Sequence, residues 1–262
     1  MADDGSDSLS GSWPEMVRKI RMRTPARLLA GRVGGAYRTG TQIELRDAHA
    51  AARDAVRTEL DLERDLGAPF IARWKLFQVS SRAKSKNEYL LRPDLGRALD
   101  DRSREEVKQR CPAGRRLQIA IGDGLSVTAV AAQAPGLLPL LYQGADARGW
   151  TLGQTFVIRH CRVGILNEIG ELLSPEVAVL LIGERPGLAT AESLSAYLAY
   201  RPRPHQTDAN RNLISNIHAR GVSLQDAAAR ILHLAERMMK LGAGGYQLRE
   251  ELPAAGWPRT TP

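Results

Sequence analysis

The sequence predicts an α/β protein: a Rossmann-like, mostly parallel sheet with flanking helices, preceded by a mainly helical N-terminal domain. Short apolar runs of strand character, Leu117–Ile121, Thr155–Arg159 and Val177–Ile182, alternate with helical stretches over residues 117–241. The run Val177–Ile182 reads VAVLLI, apolar at every position, as an internal strand covered on both faces requires. Ahead of residue 112 the pattern is chiefly helical. Within 42–66, Leu45, Ala48, Ala52, Val56, Leu60 and Leu66 fall near one helix face.

Taken in order, residues 1–14 are rich in Asp, Ser and Gly with little to bury, which predicts a disordered tail. Residues 15–31 alternate basic and apolar side chains. Thr24–Pro25 suits an N-cap followed by the first helical position, and Gly31 a stop. The glycine-rich stretch 32–41 predicts a loop. Residues 42–66 predict one helix, ended by Gly67, with His49 beside its apolar face as a packing or solvated residue. Residues 73–79 read as extended, and 94–110 as a helix capped by Asp94 or Ser103. These boundaries predict a helical unit over 15–112, an α/β unit over 113–250 and a flexible C-terminus over 251–262.

In the second unit the strand Leu117–Ile121 runs into the turn Gly122–Ser126. A helix follows from Val127 to about Ala134 and resumes at 137–141 after Pro135–Gly136. The strand Thr155–Arg159, a short helix Asn167–Leu173, the strand Val177–Ile182 and a fourth strand Ser195–Tyr200 come next. Ser223 caps a long amphipathic helix, Leu224–Leu241, which Gly242 ends.

The charge is uneven. The 262 residues carry 37 Lys/Arg against 29 Asp/Glu, a formal +8 with pI ≈ 9.9. Residues 15–117 hold 24 basic and 14 acidic side chains, and the remainder of the chain is close to balanced. A pI this high suggests an anionic partner such as nucleic acid. Aromatics are only 5%, however, no basic stripe is interleaved with stacking residues, and no zinc-finger, RRM or basic-zipper signature is present. The basic front reads better as solvated surface plus a protein interface. The longest apolar runs are far short of the ~18 residues a membrane helix needs. The opening MADDGSDSLSGSW predicts no secretory signal. Two cysteines, Cys111 and Cys161, give neither a disulfide framework nor a Cys-based zinc site.

In such a sheet, ligands bind at the carboxyl ends of the strands, and three polar loops are expected to converge there. The first, Gly122-Asp123-Gly124-Leu125-Ser126, suits backbone approach to an anion or amide, with Ser126 as a cap; it reads equally as a tight strand-to-helix turn. It is not GxGxxG, because Val127 stands where the third glycine would fall. The second, Gly183-Glu184-Arg185-Pro186-Gly187-Leu188, sets a carboxylate at a strand end, where it would accept from a ligand or pair with Arg185. The third runs from Arg201-Pro202-Arg203-Pro204-His205 through Asp208, Asn210 and Arg211 to Ser215-Asn216-Ile217-His218, long and polar for a connection. His205 and His218 lack a third ligand at metal spacing. No GxSxG elbow or Cys–His pair stands out, so the pattern favours a binding crevice over a catalytic triad.

The stretches PARLLAGRVG (25–34), SKNEYLLRPDLGR (85–97), IGDGLS (121–126), CRVGI (161–165), IGEL (169–172), IGERPGL (182–188), ESLSAY (192–197) and ISNIH (214–218) together resemble the small (light) subunit of ethanolamine ammonia-lyase, in family order. The resemblance implies an adenosylcobalamin-dependent lyase that converts ethanolamine to acetaldehyde and ammonia by a 5′-deoxyadenosyl radical. It implies a barrel-shaped large subunit that carries the radical steps, a non-catalytic small subunit that holds the cofactor at their interface, and a hetero-oligomer of αβ dimers. Val163 and Glu184 match cobalamin-contacting positions of the family, and Leu213 stands where relatives can carry Cys. Arg162, Gly122, Asp123, Gly124 and Ser126 are further candidates, for the cofactor's nucleotide loop. No residue is expected to be catalytic or to bind a metal, and neither nucleic acid nor membrane is an expected partner. The expected location is the cytoplasm. The short segment before the first helix leaves packing into a bacterial microcompartment open. Two other readings are a stand-alone nucleotide-binding α/β module and a basic nucleic-acid-binding protein, which would bind nucleotide alone or bind DNA or RNA with steep salt dependence.

Overall fold

A computed structural model describes residues 15–23, 32–187 and 189–250. The expected tail, the Thr24–Pro25 cap, the Gly31 stop and the expected C-terminus lie outside these residues.

The chain opens with helix α1 (Glu15–Arg23) and a two-stranded hairpin, β1 (Arg32–Val33) and β2 (Ala36–Tyr37), turning at Gly34–Gly35 where the sequence predicts only a loop. The helix expected over 42–66 is broken. Helix α2 spans Thr39–Arg57 and stops at Thr58, whose backbone is extended. Asp61 then accepts from the Arg64 amide at 2.9 Å and starts α3 (Leu62–Leu66); Gly67, at φ +80°, separates it from α4 (Ala68–Trp74). An Asp inside a helical pattern offers the backbone a competing cap. The break lets Leu60 and Leu66 turn into the core, while in α2 only Ala55 is buried. His49 is exposed on α2.

The edge strand β3 (Gln78–Ser80) follows, then α5 (Lys86–Leu91), capped by Ser85 and absent from the sequence reading. The helix expected over 94–110 divides into a single turn, Leu95–Arg97, and α6 (Asp101–Arg110). The cap of α6 is neither Asp94 nor Ser103 but Asp100, whose carboxylate accepts from the Ser103 amide at 2.7 Å.

The remaining elements are β4 (Leu117–Gly122), α7 (Val127–Asp146), β5 (Phe156–Arg159), α8 (Ile165–Leu173), β6 (Val177–Gly183), β7 (Leu194–Tyr200), β8 (Arg211–Ile217) and α9 (Leu224–Leu241). The six-stranded sheet has the order β3-β5-β4-β6-β7-β8; the first four strands are parallel, β7 runs antiparallel to β6, and β8 runs antiparallel to β7. The fold is therefore α/β with a mostly parallel sheet, as the sequence predicts. Its boundary at 112, however, does not mark where the sheet begins, because β3 lies upstream of it.

Alternation splits β4 between two cores. Leu117, Ile119 and Ile121 face α7 and α9, whereas Ala120 joins Ile165, Leu166 and Ile169 of α8. Helix α7 runs unbroken through Pro135 and Pro139, against the interruption the sequence predicts. Each interior proline costs about 3 kcal/mol. Buried Val127, Val130, Leu137, Leu138 and Leu141 contribute about 1.5–3 kcal/mol apiece and outweigh that cost. Gly136 permits the close approach, since a methyl group there would lie 2.6 Å from Leu224 of α9.

Residues 201–218 are not one loop. Their centre is the edge strand β8, disguised by composition: Ile214 and Ile217 are buried, Leu213, Ser215 and Asn216 are exposed, and Arg211 and Asn212 are half-buried. Because β7 is antiparallel, Arg201 pairs back to Glu176 at the amino edge of β6, so the third loop begins at the edge opposite the one expected.

Candidate functional site

Strand β4 lies between β5 and β6, the two parallel strands that follow it in the chain. Helix α7 leaves β4 toward one face and α8 leaves β5 toward the other, so the loops part at the carboxyl edge, where open α/β sheets bind ligands. A cleft of about 360 Å³ opens there. Its walls are Gly124 and Leu125 after β4, Cys161, Arg162 and Val163 after β5, and Ile182 to Arg185 at the end of β6. Tyr89, Ser195, Tyr197, Leu213 and Ser215 complete them.

Glu184 is tied by three hydrogen bonds. Its Oε2 accepts from Ser193 Oγ at 2.6 Å, and its Oε1 accepts from Ser195 Oγ at 2.5 Å and from the Asn216 amide at 2.9 Å. It makes no ion pair with Arg185 among the described residues. The carboxylate joins the ends of β6, β7 and β8. Of its roughly four acceptor positions, one is left for the half-exposed side toward the cleft.

The loop after β4 is locked to the loop after β6. Gly124 has φ +57°, and a methyl group on it would lie 2.2 Å from the Gly183 carbonyl oxygen, which accepts from the Leu125 amide at 3.0 Å. Behind this contact Asp123 is fully buried. Its carboxylate accepts the amides of His160 and Cys161, both at 2.8 Å, with Lys86 Nζ at 3.7 Å. Burial raises the Asp123 carboxyl above its ordinary range, opposed by Lys86 and the two amides. Ser126 accepts from the Ala129 amide at 3.1 Å as the cap of α7 and donates to Ala191 O.

The structure therefore brings Val163, Glu184, Leu213, Arg162 and Gly124 together on one cleft. Gly122, Asp123 and Ser126 stand behind it, where Gly122 makes room for Cys161: a methyl group there would lie 2.7 Å from Cys161 Sγ.

Sequence reasoning missed the network beneath the β5 loop. His160, buried and at φ +55°, places Nδ1 2.9 Å from Ala83 O and Nε2 2.9 Å from Glu59 Oε2. Both partners only accept, so both bonds form together when the ring carries both protons. Glu59 also accepts from Arg159 at 2.9 Å and from the Lys86 amide at 3.2 Å. Burial raises its carboxyl, but the bonds from Arg159 and His160 outweigh burial and hold it below the usual range. Tyr89 stacks on His160 at 5.9 Å and donates to Cys161 O at 3.0 Å. Burial pushes its phenol far upward. The Arg162 guanidinium covers the Tyr89 ring at 4.1 Å and donates to Tyr89 O at 3.1 Å. The available signal was the charged and aromatic residues of Lys86–Tyr89, which open a short helix rather than decorate a surface.

His205 precedes β8 and His218 follows it, so the strand's length separates them. His218 accepts from the Arg220 amide through Nδ1 at 3.2 Å and donates from Nε2 to Asn216 Oδ1 at 2.8 Å. Burial and Arg220 lower its pKa, which fits this neutral turn-forming role.

Comparison with known proteins agrees with the resemblance drawn from the motifs. Residues 14–249 match the family pattern described as ethanolamine ammonia-lyase light chain (EutC). The ethanolamine ammonia-lyase small subunits of Fusobacterium nucleatum and Clostridioides difficile are each 40% identical to this chain over 235 residues, covering 90% of it and 78% of their own length. That of Clostridium perfringens is 38% identical over the same span. With a match over nearly its whole described length, the chain belongs to the ethanolamine ammonia-lyase light-chain family.

Proposed function

We propose that this chain is the small subunit of an adenosylcobalamin-dependent ethanolamine ammonia-lyase, seating one edge of the cofactor against a large subunit that performs the deamination of ethanolamine. One observation carries this reading: Val163, Glu184 and Leu213 come from three separate elements and line one cleft. The residues present fit a corrinoid. Leu125, Val163, Ile182 and Leu213 offer apolar walls for the macrocycle, and Glu184 offers an acceptor to the amide side chains around it. Gly124 and Gly183 let the loops after β4 and β6 pack backbone against backbone beside the cleft. The cleft is much smaller than a corrin ring, so it suits an edge, with the rest covered by a second chain in an assembly of αβ dimers.

When bound, the cofactor supplies the adenosyl radical through cobalt–carbon homolysis. This chain's residues bind and orient it. Asp123 and Tyr89 hold the backbone of Cys161 and thereby fix Val163. Val163 and Leu213 exclude water from the seated edge. Burial raises the Cys161 thiol well above its ordinary pKa, so it is unsuited to act as a nucleophile. The test is to co-express the chain with its candidate large subunit, add adenosylcobalamin, and follow cofactor uptake by visible absorption and ethanolamine deamination by ammonia release. Uptake and turnover that need both chains are expected; absence of both overturns the reading.

A further inference from the structure

The Arg201-Pro202-Arg203 segment lies at the amino edge of the sheet, where the proposed cofactor cleft does not reach. The Arg201 amide donates to Glu176 O at 2.9 Å, just before β6, and Arg115 and Arg116 enter β4 alongside. Together with Ser174 these residues line a cleft of about 450 Å³.

Four arginines line it, the Arg201 guanidinium lying 5.4 Å from the Tyr200 ring and Arg116 also reaching Met239 Sδ. Arg116 pairs with Glu176 at 3.1 Å. Among the described residues, no carboxylate lies within ion-pair distance of Arg115, Arg201 or Arg203, and Arg115 Nε is a buried donor without a partner. Arg64, Arg104, Arg159 and Arg230 are paired, with Asp65, Glu168, Glu59 and Glu250, while Arg82, Arg97, Arg162 and Arg185 also lack a carboxylate within ion-pair distance among the described residues; what distinguishes this cleft is that its arginines line one cavity, where Glu176 is the single carboxylate among the described residues. The carboxyl end of α8 adds about half a negative charge at Ser174. Against four positive charges, that and Glu176 leave an excess of roughly two to three.

The backbone is held to this arrangement. Arg201 has φ +38° and Ser174 φ +46°, left-handed conformations that residues with side chains adopt only when their surroundings impose them. Pro202, buried between two exposed arginines, packs its carbonyl on Gly170, where a methyl group would lie 1.9 Å away.

We propose that this cleft binds a small phosphomonoester. A phosphomonoester carries about −1.5 to −2 charges at neutral pH, matching the excess. Arginine forks match phosphate oxygens in paired hydrogen bonds. The volume exceeds that of bare phosphate and leaves room for an organic group. The inference is independent of the cofactor reading, since the two clefts lie at opposite edges of the sheet.

The test is calorimetric titration of the full-length chain with inorganic phosphate and, separately, with glycerol 3-phosphate, at ionic strength held constant with chloride. Saturable binding is expected, tighter for the ester. It should weaken about tenfold or more in Arg201→Gln/Arg203→Gln, since a hydrogen bond to a charged group contributes at least that factor, and stay unchanged in Arg64→Gln. Arg115→Gln, outside the strained segment, should weaken it also and serves if the double variant does not fold. No saturable binding, equal binding in the double variant (or in Arg115→Gln, where that stands in for it), or no advantage for the ester over inorganic phosphate overturns the proposal.

Discussion

His160 Nε2 lies 2.9 Å from Glu59 Oε2, a hydrogen bond that ties the turn after α2 to the residue that follows β5, beside the cleft. Through it the helical front of the chain supports the loop that carries Val163. Glu59 is more than one-third exposed, so solvent screening keeps the energy of the pair modest. Its sign is definite. The folded-state carboxyl is depressed, so its contribution is fully present above the ordinary value of 4.5 and is lost as pH falls through the lowered folded value. Glu59→Gln should therefore destabilise the chain at neutral pH, and the gap from wild type should close in acid. Urea unfolding across a pH series checks this; a gap independent of pH would count against the assigned linkage.

Glu184→Ala removes the shared acceptor of Ser193, Ser195 and Asn216. A cost of about 1–3 kcal/mol is expected, because the buried Ser193 and Ser195 hydroxyls lose their acceptor. In the assembled enzyme, cobalamin binding should weaken more than this folding cost explains. Spectroscopic titration with the cofactor, alongside denaturant unfolding, separates the two effects. Unchanged cofactor affinity would remove Glu184 from the proposed site.

Gly124→Ala brings a methyl group to 2.2 Å from the Gly183 carbonyl at a left-handed backbone position. About 1–3 kcal/mol of destabilisation is expected from the forced shift, with more from the backbone conformation. Thermal unfolding measures it. A stability equal to wild type would show that the loops after β4 and β6 are not locked as described.

Leu213→Ala should leave stability within about 0.5–1 kcal/mol, since the side chain is 45% exposed on an edge strand. Its expected effect is on assembly: weaker cofactor retention in the presence of the large subunit. Gel filtration with visible detection reads this directly, and a wild-type profile would argue that Leu213 faces solvent in the complex.

The parallel core was legible because its residues obey one constraint. Leu117–Ile121 and Val177–Ile182 are apolar at nearly every position, and only a strand covered on both faces needs that. Strand β8 was not legible. Its two buried residues, Ile214 and Ile217, are set among Arg211, Asn212, Ser215 and Asn216, and a register shift against β7 interrupts the alternation, so the run reads as loop. The helix boundaries at Thr58 and Asp100 escaped for a related reason, since a cap forms only when the chain on either side of it is anchored by packing.

Of the candidate site, the sequence by itself determined the ingredients: Val163, Glu184 and Leu213 through motif resemblance, and the glycines of the 122–126 turn. What only tertiary structure decided was their use. The antiparallel return of β7 carried Arg201 away to the opposite edge while bringing Ser195 and Tyr197 to the cleft. Close packing of Gly124 on Gly183 placed Asp123 in the interior, where its carboxylate holds the backbone of the loop after β5. Local sequence specifies which bonds a residue can make, but direction along the sheet and depth below its surface depend on strand order, which residues far apart in the chain set together.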